Sequence, residues 1–150
     1  MFAPFRLLAT LRSSVETGLV LATAVATTTF VATPLILPSI AARFETGIGR
    51  AGVFSAIQLG AFVVGSWSAG RLVDPSRRLF VLSLLMLVAA NVASAEVQSF
   101  WTFVGARGVA GLALGILTWL AYSQVFGDAD RTGDIAVIGP LTGVAAAPLL

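Results

Sequence analysis

The sequence predicts an all-α membrane protein, a polytopic bundle of transmembrane helices, and three observations carry that prediction. Hydrophobic residues fill 57% of the 150 positions, charged residues only 11%, and the mean hydropathy is +0.96. The apolar residues come in long runs, and the charges gather in the short connections between them. Covering a water-soluble surface takes more charge than this. Hydrocarbon offers the backbone no hydrogen-bond partner, so such runs are accommodated as helices that satisfy their own amides.

Roughly 20 apolar residues cross a hydrocarbon core about 30 Å thick. Five segments are candidates, at about 18–42, 51–70, 79–95, 100–126 and 135–150. The first follows MFAPFRLLATLRSSVETG, whose Arg6 and Arg12 look like the n-region of a signal peptide. The run behind them exceeds the roughly 7–15 residues of a cleaved h-region, which makes it a retained span. Pro34 and Pro38 lie four apart within it. The second span spaces small residues for close helix contacts, in one row Gly52, Ala56 and Gly60 and in another Ala61, Gly65 and Ala69. Gly111 and Gly115 do the same in the fourth, and Gly139 and Gly143 in the fifth. Between spans, close backbone approach replaces the hydrophobic drive that lipid removes. The fifth segment is still apolar at Leu150, so the sequence reads as cut within that helix.

Orientation follows from the arginines. With a cytoplasmic N-terminus, Arg6, Arg12, Arg71, Arg77, Arg78 and Arg131 lie inside, and only Arg43 and Arg50 outside. That distribution obeys the positive-inside rule. Trp101 at an outer end, and Trp67, Tyr122 and Phe126 towards inner ends, suit interfacial aromatic belts or plain packing. The formal net charge of +2 and a pI near 10.5 do not make a nucleic-acid-binding face, because the basic residues are scattered between apolar runs. With no Cys and no His there is no disulfide, thiol nucleophile or imidazole. The chain is expected not to be an enzyme, and to hold no cofactor and no metal.

The stretch GRLVDPSRR, residues 70–78, falls between the second and third spans. A glycine at a helix end permits close approach or left-handed geometry. An aspartate beside arginines at a membrane surface can form charge-assisted bonds that break when helices move. In the order of its residue types this stretch resembles the helix 2–3 loop of the major facilitator superfamily of secondary transporters, G-x-L-x-D-[RK]-x-G-[RK]-[RK]. Gly70, Leu72, Asp74, Arg77 and Arg78 fit, while Pro75 stands where a basic residue is usual and the loop glycine is missing.

Further matches follow in family order. FVGARGVAGLALG resembles the helix 4 motif R-x-x-q-G-x-g through Arg107 and Gly111, with Ala110 where Gln is common. An arginine within a span costs roughly 2.5–3.5 kcal/mol on insertion scales. It either faces a bundle interior or cavity, or snorkels to the surface about 10 Å away. Helical spacing places Gly111, Thr118 and Tyr122 on the same face as Arg107. With Gln58, Thr23 and Thr27 they outline a candidate polar cavity lining, although threonines often bond their own backbone. TPLILPSIAARF resembles the family's first helix. In the fifth span Gly143, Ala147 and Pro148 resemble the antiporter motif G-x-x-x-G-P-x-x-G-G, a register preferred over Gly139-Pro140, which lies too near Arg131.

The resemblance implies a major facilitator N-terminal six-helix half, with about five spans present and the chain truncated in helix 5. It implies transport of a small molecule by alternating access in the manner of efflux permeases and drug–proton antiporters. Protons would be a coupling partner and the missing C-terminal half of the same transporter a structural one. No carboxylate stands mid-membrane, since Glu16, Glu45, Asp74, Glu96, Asp128, Asp130 and Asp134 all lie near span ends. The alternative is a self-contained five-helix scaffold or accessory subunit. Arginine without lysine, with abundant Ala and Gly, points to a GC-rich bacterial source and hence a multi-pass protein of the plasma membrane.

Overall fold

The computed structural model describes residues 14–125 and 129–146, which form five α-helices and no strand among the described residues. They are α1 Ser14–Arg43, α2 Ile48–Leu72, α3 Arg77–Glu96, α4 Phe100–Ser123 and α5 Ala129–Ala146. Four stretches are long and apolar enough to cross a membrane: Val20–Arg43, Ile48–Leu72, Arg77–Glu96 and Phe100–Ser123. The chain is a membrane-embedded, multi-pass helical protein. Helix α5 starts six residues before the expected span at 135, taking in Asp130, Arg131 and Asp134. It is not among the four.

Helix ends move by a few residues from the sequence expectation, and three of the ends show a local cause. Helix α1 ends in a Schellman-type turn, where the Thr46 amide donates to the Ala41 carbonyl at 2.9 Å and Glu45 takes φ 48. Helix α2 runs two residues past Gly70, to Leu72. Val73 caps it in extended geometry, its amide still donating to the Ala69 carbonyl at 3.3 Å. Helix α3 begins at Arg77 because Ser76 is its N-cap, the hydroxyl accepting from the Leu79 amide at 3.2 Å. Helix α1 is continuous through Pro34 and Pro38, although each proline withholds one amide from its ladder.

The described residues fall into two compact units. One holds residues 33–120, that is, the last third of α1 with α2, α3 and α4 to Leu120. Its aromatic core joins Phe54 and Phe103, with centroids 5.3 Å apart and rings at 71°, to Phe44 and Phe100. Ile40, Ala41, Ala51 and Val104 fill the same cluster. The other unit holds the start of α1, the end of α4 and α5. There Ala121 and Val125 are buried with Val20 and Tyr122 against them. The boundary within α1 falls between Ala32 and Thr33, one residue before Pro34.

Candidate functional site

The contact between α2 and α4 is made of backbone. A Cβ on Gly111 would run into the Gln58 carbonyl oxygen, one on Gly115 into that of Phe62, and one on Gly65 into that of Leu112. The contacts Gln58–Gly111, Phe62–Gly115 and Gly70–Trp119 advance together along both helices, so α2 and α4 run parallel. The Ser66 hydroxyl crosses the seam to the Gly115 carbonyl at 3.0 Å. Where the seam ends, Gly70 leaves room for the Trp119 indole, whose nitrogen would lie 3.1 Å from an added Cβ. Gly70 is thus a helical glycine of close approach, and left-handed geometry is not used there. Of the two small-residue rows expected on α2, the one through Gly65 and the buried Ala69 makes the contact. The row through Gly52, Ala56 and Gly60 does not: among the described residues nothing lies within 4 Å of a Cβ on either glycine, and Ala56 is exposed. The reason is geometric, since that row lies on a different face of α2 from the one turned to α4.

Arg107 faces α3. Its Nε donates to the Ser94 hydroxyl at 3.0 Å and its Nη2 to the Asn91 side-chain oxygen at 2.8 Å, while its guanidinium carbon lies 5.7 Å from the Phe103 ring centre. Both acceptors are held in turn by their own helix. The Ser94 hydroxyl donates to the Ala90 carbonyl at 2.7 Å and the Asn91 amide to that of Leu87 at 2.9 Å. Ser94 is buried, Asn91 is exposed, and Arg107 is half-buried. Sequence spacing put Arg107, Gly111, Thr118 and Tyr122 on one face. In the structure Arg107 reaches α3, Gly111 is turned to α2, and Tyr122 packs against Ala121 and Val125.

Other candidate residues have their own places. Gln58 is 1% exposed, and its side-chain nitrogen has no hydrogen-bond partner among the described residues, nor does the buried Thr118 hydroxyl. Thr23 and Thr27 donate to carbonyls of their own helix, those of Val20 and Thr23, at 3.0 and 2.9 Å. Gly143 of α5 sits against α1, where an added Cβ would lie 2.7 Å from the Thr27 Cβ and 2.8 Å from the Ala24 carbonyl oxygen. Ala147, Pro148 and Phe126 lie outside the described residues.

The 70–78 stretch is mostly helix. Gly70 and Leu72 end α2, Arg77 and Arg78 open α3, and the connection is the four residues 73–76, with Asp74 exposed in it. Arg71 lies over the Trp67 ring, 4.7 Å from its centre.

Sequence reasoning missed Asn91, Ser94, Trp119 and the role of Arg43. Arg43 caps the end of α3, donating to the carbonyls of Ser94 at 3.3 Å, Ala95 at 2.7 Å and Val97 at 2.8 Å. A cation at a helix C-terminus meets the negative end of its dipole. Asn91 and Ser94 carried a readable signal: they are polar, three apart, and inside an apolar run. No family model, no curated protein and no solved structure matches the chain.

Proposed function

We propose that this chain is the N-terminal portion of a major facilitator transporter, moving a small molecule across a bacterial plasma membrane by alternating access with its N-terminus in the cytoplasm. Proton-coupled efflux is the variant that the fifth-helix resemblance favours. The observation that carries the reading is Arg107. A guanidinium inside a span costs roughly 2.5–3.5 kcal/mol to insert. A helical bundle held together by a glycine seam gains nothing from that expense unless the charge does something. Gln58, buried with an amide nitrogen that has no partner among the described residues, points the same way. The glycine seam by itself would suit the alternative, a scaffold or accessory subunit that carries no cargo.

The natural absence of cysteine makes the test clean. Single cysteines at Ser76 and Thr46 should react with an impermeant maleimide from the cytoplasmic and external sides respectively. In a bacterium stripped of its own efflux permeases, expression of the complete transporter of which this chain would be the N-terminal portion should speed energy-dependent loss of at least one of a panel of fluorescent dyes. Arg107→Ala should cut that rate about tenfold or more with membrane insertion unchanged. Reversed labelling rejects the orientation. Dye loss that is the same with and without that complete transporter, or undiminished in its Arg107→Ala variant, rejects the transport reading.

A further inference from the structure

Among the described residues Arg107 is hydrogen-bonded along one edge only. A guanidinium carries five N–H groups in a planar fork, and its Nε–H and the neighbouring Nη2–H point side by side along one edge. That edge docks on α3, with Nε on Ser94 and Nη2 on Asn91. Three N–H groups are left, two on Nη1 and one on Nη2, and the last of these lies parallel to an Nη1 N–H along the end of the group. This second edge is the geometry that receives a carboxylate or phosphate through two parallel charge-assisted bonds. The residues that hold Arg107 are neutral, so its charge is uncompensated by them. Within the four membrane-crossing stretches the one acidic residue is Glu96, which is exposed at the last position of α3. Asn91 is exposed beside the half-buried arginine.

We propose that the free edge of Arg107 is an anion-binding subsite for a small molecule bearing a carboxylate, with Asn91 and Ser94 as positioning residues. This rests on, and deepens, the transport reading: the cargo is an organic anion. Two neutral acceptors fix the guanidinium plane without spending its charge. A carboxylate at these positions would have neutralised it and closed the site. The partners are thus of the kind that aims a cation at a visiting anion.

The test is binding to the full 150-residue chain in phosphatidylcholine nanodiscs, using benzoate, its neutral counterpart benzamide, and inorganic phosphate. Benzoate should bind saturably and benzamide should not. Arg107→Gln should weaken benzoate binding roughly 10- to 100-fold. Arg107→Lys keeps the charge and loses the fork, and should recover only part of that loss. Asn91→Leu with Ser94→Ala leaves the charge and frees its plane, and should weaken binding by a smaller factor, with circular dichroism and elution volume unchanged.

Equal binding of benzoate and benzamide, absence of benzoate binding, or undiminished binding by Arg107→Gln overturns the proposal. Phosphate binding that outcompetes benzoate makes the site one for free inorganic anions and overturns the carboxylate assignment. Benzoate binding that vanishes when phosphatidylglycerol replaces phosphatidylcholine marks a lipid headgroup as the occupant and also overturns it. Binding is read without transport, so the two readings fail separately. Dye efflux without carboxylate binding sinks this inference alone, and carboxylate binding without any transport sinks the transport reading alone.

Discussion

Helix α4 meets α2 and α3 in opposite ways. Against α2 it presents Gly111 and Gly115, so that main chain lies on main chain at Gln58 and Phe62. Against α3 it presents Arg107, whose long side chain reaches across to Asn91 and Ser94. The first contact is tight because side chains are absent, and dispersion between close backbones supplies the attraction that lipid takes away. The second is held by polar bonds in a low-dielectric setting, where a lost partner is costly but each bond contributes modestly. The lesson is that stability and chemistry are assigned to different faces of one helix. The seam to α2 can be rigid while the contact to α3 stays adjustable.

The sharpest way to break this comparison is to fill the seam. Gly111→Leu should destabilise the protein by about 3 kcal/mol, because the Gln58 carbonyl cannot yield without moving α2. Gly60→Leu, with nothing within 4 Å of its Cβ, should change stability by less than about 0.5 kcal/mol. Reversible unfolding in mixed micelles reads both. Equal effects would mean that α2 and α4 do not meet along the glycine row.

Next in size is Arg43→Ala, which uncaps α3. The loss of bonds to three terminal carbonyls should cost about 1–2 kcal/mol, and hydrogen exchange should rise at the end of α3 before it rises elsewhere. A change confined to α1 would contradict the cap.

The polar face is tested by a double-mutant cycle between Arg107→Gln and Asn91→Leu, with an expected coupling of about 0.6 kcal/mol and a ceiling near 1.7. A coupling as large as the cost of filling the seam would erase the distinction between the two faces. The smallest expected effect is that of Gly70→Ala. The Trp119 indole can shift by a few tenths of an ångström, so stability should move by under about 0.5 kcal/mol. The emission of the tryptophan should report the displacement even where unfolding does not.

Much of the architecture was legible in the residues. The spans near 51–70, 79–95 and 100–126 became α2, α3 and α4 with ends displaced by a few positions. The displacements trace to caps that hydropathy does not see, such as Ser76, which pulls Arg77 and Arg78 into the first turn of α3. Of two equally plausible small-residue rows on α2, sequence could not choose the one through Gly65, since both have helical spacing and only the neighbour decides. Helical spacing likewise grouped Arg107 with Gly111, although four residues turn a helix by about 40°, enough to aim one side chain at α3 and the other at α2. Gln58 and Thr118 were singled out for their polarity. Their unpartnered buried atoms are visible only once the helices are packed.

By itself the sequence determined that this chain lives in lipid as helices, because apolar runs of that length have no other way to satisfy their amides. It also determined that charge would gather at and between the ends of the apolar runs, with Arg107 as the exception deep inside one. Only the tertiary structure decided which glycines touch, that Arg43 caps α3, and that Arg107 is held by Asn91 and Ser94 with one edge unspent. Those outcomes depend on which faces meet, and that is set by backbone approach and side-chain reach between segments far apart in the chain, quantities that spacing along a single helix does not contain.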